Sequence, residues 1–592
     1  MKRIISMIIC LATVICSFAG CSTLEKDDKG AIIDLYLSGD VVDLDPAVNV
    51  GNDDLMKLYS LIFEGLTRLD SKGNWEKALM KDYEKKYDEE AGEYKVEITL
   101  NSTKWSDGRT VQAQDVVFAW KRILEPTFSD SPFAGAPASM LFDIKNARAA
   151  KYGDVSIDDV GVIAADTYVL EVSFEYAVDL DTFFKTCASP SLVPLREDIV
   201  ARNADWAKKS STLVTNGPFS IKQFDHGSMI RIERSAGYYR EDDETALDKY
   251  VIPWRIVTNY DHGSLEDQLA AFENGDIYYL GDIPLDSRAE YKDKATISDE
   301  LSTHSYYFNT SNTLFSDARV RRALSMALDR DHIVELVTFA RPATGLIPYG
   351  VEDASSKNDF RTTADESESL ISTTADVEGA KALLKEAKVT RGSFEITVNK
   401  DDEVAVEIAR YAAEVWNDLG FTVKLNMLGV KVKSESESQT KTVTDNYGDA
   451  LKSGDFDVIA LDVQMLNTDA FSALSVFAPA FSGGGVDMDS ENYDKVGHIT
   501  GYDSDEYSAL IEEIYAIRDD SSARASKLHE AEAKLLEDMP VIPVVFNQDA
   551  YMVNKKVISG LEDTFWGTRD FRRVKMKNYM SIKEDYLATE TY

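Results

Sequence analysis

The stretch KWSDGRTVQAQDVVFAWKRILEP, from Lys104 to Pro126, predicts a turn followed by an amphipathic helix. Its WSDG part favours a turn, because glycine permits positive φ and the Asp107 side chain can bond its own backbone two residues on. The apolar residues of the following helix recur on one face: Ala113, Val116, Val117, Trp120 and Leu124. Ahead of it, alternating apolar residues between Tyr94 and Leu100 predict a half-buried strand. Such a strand, turn and helix are typical of α/β and α+β proteins.

The residues of this unit resemble the signature of the extracellular solute-binding proteins of family 5. The matching features are WSDG, a short spacer, Ala113-x-Asp115-Val116, and an aromatic helix that ends in Lys121-Arg122. Gln112 stands where that family usually has Thr as helix N-cap, so we expect the helix start to lose about 1 kcal/mol. Asp115 is expected at the third helical position, where its charge suits the helix dipole.

A second block, from Tyr306 to Arg330, resembles another pattern of the same family. It contains Tyr306-Tyr307-Phe308-Asn309, a loop, FSDARVRRAL and finally ALDR. Ser316 is expected to cap the helix that follows it. The basic residues from Arg319 to Arg322 suggest a phosphate-binding patch, but Asp317 and Asp329 lie at helical spacings that favour an internally paired surface.

Helices and strands alternate in the later part of the chain, which predicts a parallel sheet with right-handed crossovers. The expected elements are a helix over Ala380–Ala387, a strand over Phe394–Val398, a helix over Val404–Leu419, a strand over Phe421–Leu425, and helices over Asp505–Ile517 and Ala523–Glu537. Two polar tracts, Glu352 to Asp376 and Lys431 to Asn446, are expected to be surface loops that add no core.

The resemblance implies a mixed α/β fold of the two-lobed, Venus-flytrap type (periplasmic binding protein type II) with an extra small domain. A hydrophobic content of 44% in so long a chain also predicts more than one core. The expected segments are a signal peptide 1–20, a lipidated tether 21–29, lobe I from 30–71, 188–300 and 548–592, a small domain II over 72–187, and lobe III over 301–547. Two chain crossings between lobes are what a hinge requires.

The N-terminus predicts export. Lys2 and Arg3 precede an uncharged run from Ile4 to Phe18, which is shorter than the ~20 residues of a membrane span and suits a cleaved signal peptide. Phe18-Ala19-Gly20-Cys21 resembles a bacterial lipobox, so Cys21 is expected to carry a diacylglyceryl anchor at the outer face of the cytoplasmic membrane. The alternative is an ordinary secretory signal with an incidental cysteine. Cys187 then remains alone, and neither an internal disulfide nor a metal site is expected.

Composition and motifs argue against nucleic-acid binding and catalysis. The net charge of −39 opposes phosphate contacts. The sequence has no G-x-S-x-G, H-E-x-x-H or P-loop motif, and its six histidines are scattered. We therefore expect a binding protein without cofactor, a monomer that meets the permease subunits of an ABC importer, and regard a secreted hydrolase as the weaker alternative.

The ligand that the resemblance implies is an oligopeptide captured between the lobes. Relatives in the family bind dipeptides, nickel chelates, haem or oligosaccharides, so these stay open. Family members that bind peptides usually have a Gly-Trp and an Asp-Tyr segment, whose carboxylate pairs with the ligand's α-ammonium group. Residues Asp462 to Phe471 replace that segment here, without the Trp and the Asp-Tyr pair.

Binding that tolerates many peptide sequences needs contacts to the ligand backbone, so we expect Asn49 to Asp53 and Val463 to Asp469 to pair with the ligand as added strands. The candidate ligand residues are Asn49, Val50, Gly51, Asn52, Asp53, Tyr306, Tyr307, Asn309, Asp462, Val463, Gln464, Asp469 and Phe471. Core packing is the equal alternative for both tyrosines. A buried ammonium group needs a carboxylate, and Asp469 is the first candidate and Asp462 the second.

Overall fold

The computed structural model describes residues 32–48, 53–128, 135–239, 251–258, 263–355, 358–367, 370–434, 441–482 and 500–577. The predicted signal peptide, the tether with Cys21 and the candidate ligand residues Asn49 to Asn52 lie outside the described residues. None of the described helices combines the length and the apolar character that a membrane crossing needs.

The chain begins with β1 (Ile32–Leu35), α1 (Asp53–Ile62) and β2 (Thr67–Leu69), which lie in the predicted lobe I, and β3 (Trp75–Lys77), which pairs with β2 but falls in the range predicted for domain II. Asp53, which was expected in an extended segment, is instead the first residue of α1.

Domain II contains β4 (Met80–Asp88), β5 (Glu93–Leu100), α2 (Ala113–Leu124), α3 (Gly135–Ser139), α4 (Ala147–Tyr152), β6 (Val162–Asp166), β7 (Val169–Phe174) and α5 (Leu180–Thr186). Its antiparallel sheet has the order β4-β5-β7-β6. Helix α2 has the predicted bounds and buries its predicted apolar face. The indole of Trp120 donates a hydrogen bond to the carbonyl of Leu192 at 2.9 Å, which ties α2 to the chain that leaves the domain.

The start of α2 is held by Asp115 rather than by the N-cap side chain. One Asp115 oxygen accepts hydrogen bonds from the backbone N–H of Gln112 and from the indole of Trp105, both at 2.9 Å. Asp115 therefore supplies hydrogen bonds to the helix start, and the expected cost of the missing Thr cap stays a prediction.

The chain then returns to lobe I with α6 (Glu197–Val200), β8 (Phe219–Asp225), β9 (Met229–Arg234), β10 (Arg255–Thr258), α7 (Leu265–Asn274), β11 (Tyr279–Leu280) and α8 (Arg288–Tyr291). One sheet has the order β1-β10-β9-β8. Because β1 pairs in parallel with β10, this sheet joins chain segments from before and after domain II.

Lobe III and the C-terminal tail contain β12 (Thr296–Phe308), α9 (Ala318–Met326), α10 (Arg330–Val337), β13 (Ala340–Pro342), α11 (Phe360–Ser367), α12 (Val377–Glu386), β14 (Ser393–Asn399), α13 (Glu403–Asp418), β15 (Thr422–Leu428), β16 (Val430–Ser434), β17 (Lys441–Asp445), α14 (Asn446–Ser453), β18 (Val458–Gln464), α15 (Phe471–Leu474), α16 (Asp505–Ala516), α17 (Ser521–Asp538), β19 (Val541–Val553), β20 (Ile558–Ser559), β21 (Glu562–Asp563), β22 (Arg569–Asp570) and β23 (Lys575–Met576). The main sheet has the order β11-β19-β12-β18-β14-β15. The predicted parallel pairing is confirmed, because β14 runs parallel to both β15 and β18.

Two long strands, β12 and β19, carry the chain into and out of lobe III. Each has 13 residues, and they pair with each other towards both ends. Their register shifts between Asp299 and Thr303. An irregular register lets a strand pair bend, so this position suits a hinge. The lobe boundaries at 301 and 547 stay a prediction.

The basic block of α9 is organised differently from the prediction. Asp317, not Ser316, is the N-cap, and its carboxylate accepts the backbone N–H of Arg319 at 2.9 Å. Arg319 pairs with Asp317 at 2.7 Å, as expected. Arg321 is buried and donates to the carbonyl of Met539 at 2.9 Å. The block thus anchors α9 to the end of α17.

The polar tract from Glu352 to Asp376 contributes to the core, which contradicts the sequence-based expectation. Phe360 and Arg361 of α11 are both fully buried. The guanidinium group of Arg361 forms a buried ion pair with Glu532 of α17. The second tract, Lys431 to Asn446, was also expected to be a loop, but it contains the antiparallel strand pair β16–β17.

Candidate ligand-binding cleft

One edge of β18 is open along half of the strand. β18 pairs with β12 from Val458 to Gln464, but its pairing with β14 covers only Val458 and Ile459. From Ala460 onward, no described strand pairs with that edge, and the hydroxyl of Tyr447 donates to the Ala460 carbonyl there. A strand edge of this kind can accept an extended ligand as an additional strand.

Asp462, on this same strand, is held in a fixed orientation by two partners. His304 Nδ1 lies 3.1 Å from Asp462 Oδ1, and the Asn547 amide donates to the same oxygen at 2.6 Å. Asn547 also donates to the hydroxyl of Ser302 at 2.9 Å. No described residue donates to Asp462 Oδ2, and the side chain is 25% exposed. The carboxylate therefore keeps one oxygen for a ligand.

The surroundings of Asp462 favour its charged form. Burial would raise the pKa of the Asp462 carboxyl, but the charge of His304 and the hydrogen bonds from His304 and Asn547 lower it below its usual value. Burial would lower the pKa of His304, but Asp462 raises it. Each partner stabilises the charge of the other, so this end of lobe III holds a charged pair beneath the open strand edge.

This region adjoins lobe I. A Cβ atom on Gly39, in the segment after β1, would lie 3.1 Å from the Asp401 Cβ atom. Asp401 and Asp402 lead into α13, and the charge of Asp402 contributes to the raised pKa of His304. In the sequence, the segment of Gly39 precedes the candidate residues Asn49 to Asn52, which lie outside the described residues. The open edge of β18 and the Asp462 carboxylate thus lie beside the boundary between lobes I and III.

A second part of the cleft lies between domain II and lobe III. It is a cavity with a volume of ≈ 530 Å³. Its charged and aromatic lining residues include Asp143, Tyr176, Lys185, Glu352, Asp469, Phe471, Arg518 and Arg524. Lys185 of domain II binds both oxygens of Glu352, at 2.9 and 2.8 Å, and both residues line the cavity. The candidate residues Asp469 and Phe471 are brought together here.

Asp469 already has a strong partner in this cavity. Arg524 binds its two oxygens at 3.2 and 2.6 Å, and Asp469 Oδ1 also accepts the N–H of Phe471 at 3.0 Å. A carboxylate held by a two-point contact with arginine has less capacity left for an ammonium group. Of the two carboxylates proposed from the sequence, Asp462 is therefore the more available.

The remaining candidates lie elsewhere. Tyr306 is fully buried with its ring 5.2 Å from that of Trp416, and Tyr307 is 2% exposed and stacked on Phe477. Both pack in the core, the alternative left open above. Asn309 follows β12, where its N–H donates to the Asp457 carbonyl. Asp457 directly precedes β18, and Gln464 is at the other end of that strand, roughly 20 Å from Asp457 at about 3.3 Å per residue. Asn309 therefore lies at the end of β18 away from Gln464.

His304, Asn547, Arg524 and Lys185 were not among the sequence candidates. His304 was interpreted as one of several scattered histidines, because a sequence does not show that β12 lies next to β18. Within the described residues, no group of three or more His, Cys, Asp or Glu side chains is arranged to hold a metal ion.

Comparisons with known proteins agree with this architecture. The family described as "Bacterial extracellular solute-binding proteins, family 5 Middle" matches residues 78–485, more than half of the chain. The oligopeptide-binding protein OppA of Bacillus subtilis (strain 168) is 27% identical over 580 residues, with 93% of this chain and 94% of OppA covered. The probable deoxycholate-binding periplasmic protein YgiS of Escherichia coli (strain K12) is 28% identical over 500 residues, with 82% of each chain covered.

The solved structure of Listeria monocytogenes OppA bound to peptide superposes with a TM-score of 0.75 at 21% identity, covering 93% of this chain and 99% of that one. The fold is therefore the two-lobed periplasmic-binding-protein fold with a small extra domain, as predicted. This chain belongs to the bacterial extracellular solute-binding proteins of family 5.

Proposed function

We propose that this protein captures oligopeptides between its lobes and delivers them to the permease of an ABC importer. The observation that carries the proposal is the open edge of β18 next to the Asp462 carboxylate. Such an edge binds any peptide backbone, and a carboxylate suits a free amino terminus. Relatives named for oligopeptide binding support the same ligand class. The protein acts by binding, and no reaction is assigned to it.

In this proposal the ligand lies between Asn49–Asp53 of lobe I and Val463–Gln464 of lobe III. Asp469 and Phe471 border the adjoining cavity. Closure by rotation about β12 and β19 would enclose the ligand. A non-peptide solute is the second candidate, because a relative is named for deoxycholate binding and the Gly-Trp and Asp-Tyr residues of peptide-binding members are absent here.

A thermal-shift screen of the purified protein separates the two candidates. Each solute class is tested in turn: mixed peptides of two to six residues, oligosaccharides, nickel chelates, haem and deoxycholate. Ligand at about 100 times its dissociation constant stabilises the folded state by about 2.7 kcal/mol, so a peptide that binds is expected to raise the melting temperature measurably. A shift with a non-peptide class and none with peptides would replace the first candidate by the second.

We also propose that the protein is exported and anchored through Cys21, a position outside the described residues. Two acyl chains bind a membrane stably, whereas one binds only marginally. The Cys21→Ala variant is therefore expected to leave the membrane fraction for the soluble fraction, while the unmutated protein sediments with membranes. Cys16→Ala, within the predicted signal peptide, is the matched control and should not change the distribution. Unmutated protein found only in the medium would refute the anchor.

A further inference from the structure

Besides the Lys185–Glu352 ion pair, contacts of Arg148 join domain II to lobe III along a seam. Arg148 of α4 binds Glu512 of α16 through both carboxylate oxygens, with Nη1 2.9 Å from Oε2. Its guanidinium group also lies over three aromatic rings: Tyr152 at 5.3 Å, Phe481 at 4.8 Å and Tyr515 at 5.1 Å. One of these rings belongs to domain II and two belong to lobe III, so the cation is shared by both sides.

Two tyrosine hydroxyl groups, one in domain II and one in lobe III, each donate a hydrogen bond across the same seam. The hydroxyl of Tyr152, in domain II, donates to the carbonyl of Ala480 in lobe III at 2.5 Å. The hydroxyl of Tyr515, in lobe III, donates to the carbonyl of Phe142 in domain II at 3.0 Å. The Phe142 and Phe481 rings are also in contact, with their centroids 5.9 Å apart. Charge, aromatic contact and hydrogen bonds thus meet within one small area.

The chain topology determines what happens to the contacts of Arg148 when lobe III rotates. Domain II is connected covalently to lobe I on both sides, and the chain enters and leaves lobe III through β12 and β19. In the described part of the chain, no strand pairing joins the domain II sheet to the lobe III sheet. When lobe III rotates about β12 and β19, the contacts of Arg148 must therefore break.

We propose that Arg148, Glu512, Tyr152 and Tyr515 form a latch that holds domain II against lobe III and sets how often the cleft opens. The latch acts on the equilibrium between open and closed forms. It favours the closed form before any ligand binds and slows the release of a bound ligand. This role goes beyond solute binding and holds whichever solute class the cleft takes.

Hydrogen–deuterium exchange on the purified protein without ligand tests the latch. Arg148→Met keeps the apolar stem but removes the cation, and Glu512→Gln keeps the shape but removes the anion. In each variant, exchange is expected to rise about tenfold in both 138–152 of domain II and 471–482 of lobe III, because a weaker seam opens more often. Exchange in β14 and β15, which pair with each other within the lobe III sheet, should stay unchanged. The double variant should open no more often than the single variant with the larger effect, because both changes remove the same Arg148–Glu512 interaction.

Glu513→Gln is the matched control. Glu513 is the next residue of α16 and pairs with Lys527 within lobe III at 3.2 Å, so its loss should leave the seam intact. Small-angle X-ray scattering of Arg148→Met should show a larger radius of gyration than the unmutated protein. Faster exchange on one side only, additive effects of the two changes, or an unchanged radius would each overturn the latch. Since no ligand is present, these results do not depend on whether peptides bind.

Discussion

Replacing Glu532 by alanine is expected to lower the free energy of unfolding of lobe III by about 3–5 kcal/mol, the usual result of breaking a buried ion pair. Glu532 of α17 and Arg361 of α11 are both 0% exposed. Glu532 Oε1 accepts the guanidinium group of Arg361 and also the backbone N–H groups of Leu346 and Ile347, at 2.8 and 2.9 Å. Alanine would leave a buried cation and two buried amides without their acceptor.

Three variants separate these contributions in denaturant unfolding followed by tryptophan fluorescence. Glu532→Gln keeps an acceptor for the two amides and should cost less than Glu532→Ala. Glu530→Ala, on the same helix, removes an exposed pair with Lys527 and should change the free energy of unfolding by less than about 1 kcal/mol. If Glu532→Ala behaved like Glu530→Ala, the pair would not support the core.

The Asp462→Asn variant is expected to weaken binding of peptides with a free amino terminus by about 2–5 kcal/mol, because a buried ammonium group would lose its charged partner. Asp462 is the carboxylate with an oxygen open to a ligand, since His304 and Asn547 hold only Oδ1. N-acetylated forms of the same peptides carry no such charge, so their affinity should change far less. Isothermal titration with matched free and acetylated peptides measures both effects.

Asp469→Asn provides the comparison. Asp469 is bound at both oxygens by Arg524, so its loss should affect free and acetylated peptides alike. If Asp469→Asn weakened the binding of free-amine peptides only, and Asp462→Asn did not, Asp469 would again be the first candidate for the carboxylate that binds the ligand's ammonium group. No difference between free and acetylated peptides in either variant would indicate a ligand without an amine.

Local patterns in the sequence were sufficient for much of the fold. Helix α2 has the predicted bounds because its apolar stripe repeats at helical spacing and Pro126 ends it. The parallel strands β14 and β15 follow from the alternation of helix and strand. The tract from Glu352 to Asp376 was misjudged, because its few apolar residues and Arg361 are buried by α17, far away in the sequence. The polar composition of the tract does not show that single residues within it are buried by a distant helix.

The site depended on strand order, which local patterns do not contain. His304 meets Asp462 across 158 residues, and Asn547 reaches it across 85. Tyr306 and Tyr307 are consecutive residues of β12 and therefore lie on opposite faces of the strand. A strand residue can line the cleft only if no other part of the chain covers its face. Here both faces are covered, by Trp416 on one side and Phe477 on the other. Asp469 pairs with Arg524 across 55 residues, a contact that local patterns in the sequence do not show either.

The most direct test of peptide capture is a crystal structure of the protein after incubation with an equimolar mixture of random pentapeptides. We expect an extended chain whose backbone pairs with Leu461 to Gln464 of β18 and whose amino group lies within hydrogen-bonding distance of Asp462 Oδ2. An empty edge of β18, or a ligand bound elsewhere without backbone contacts to this strand, would contradict the proposed function.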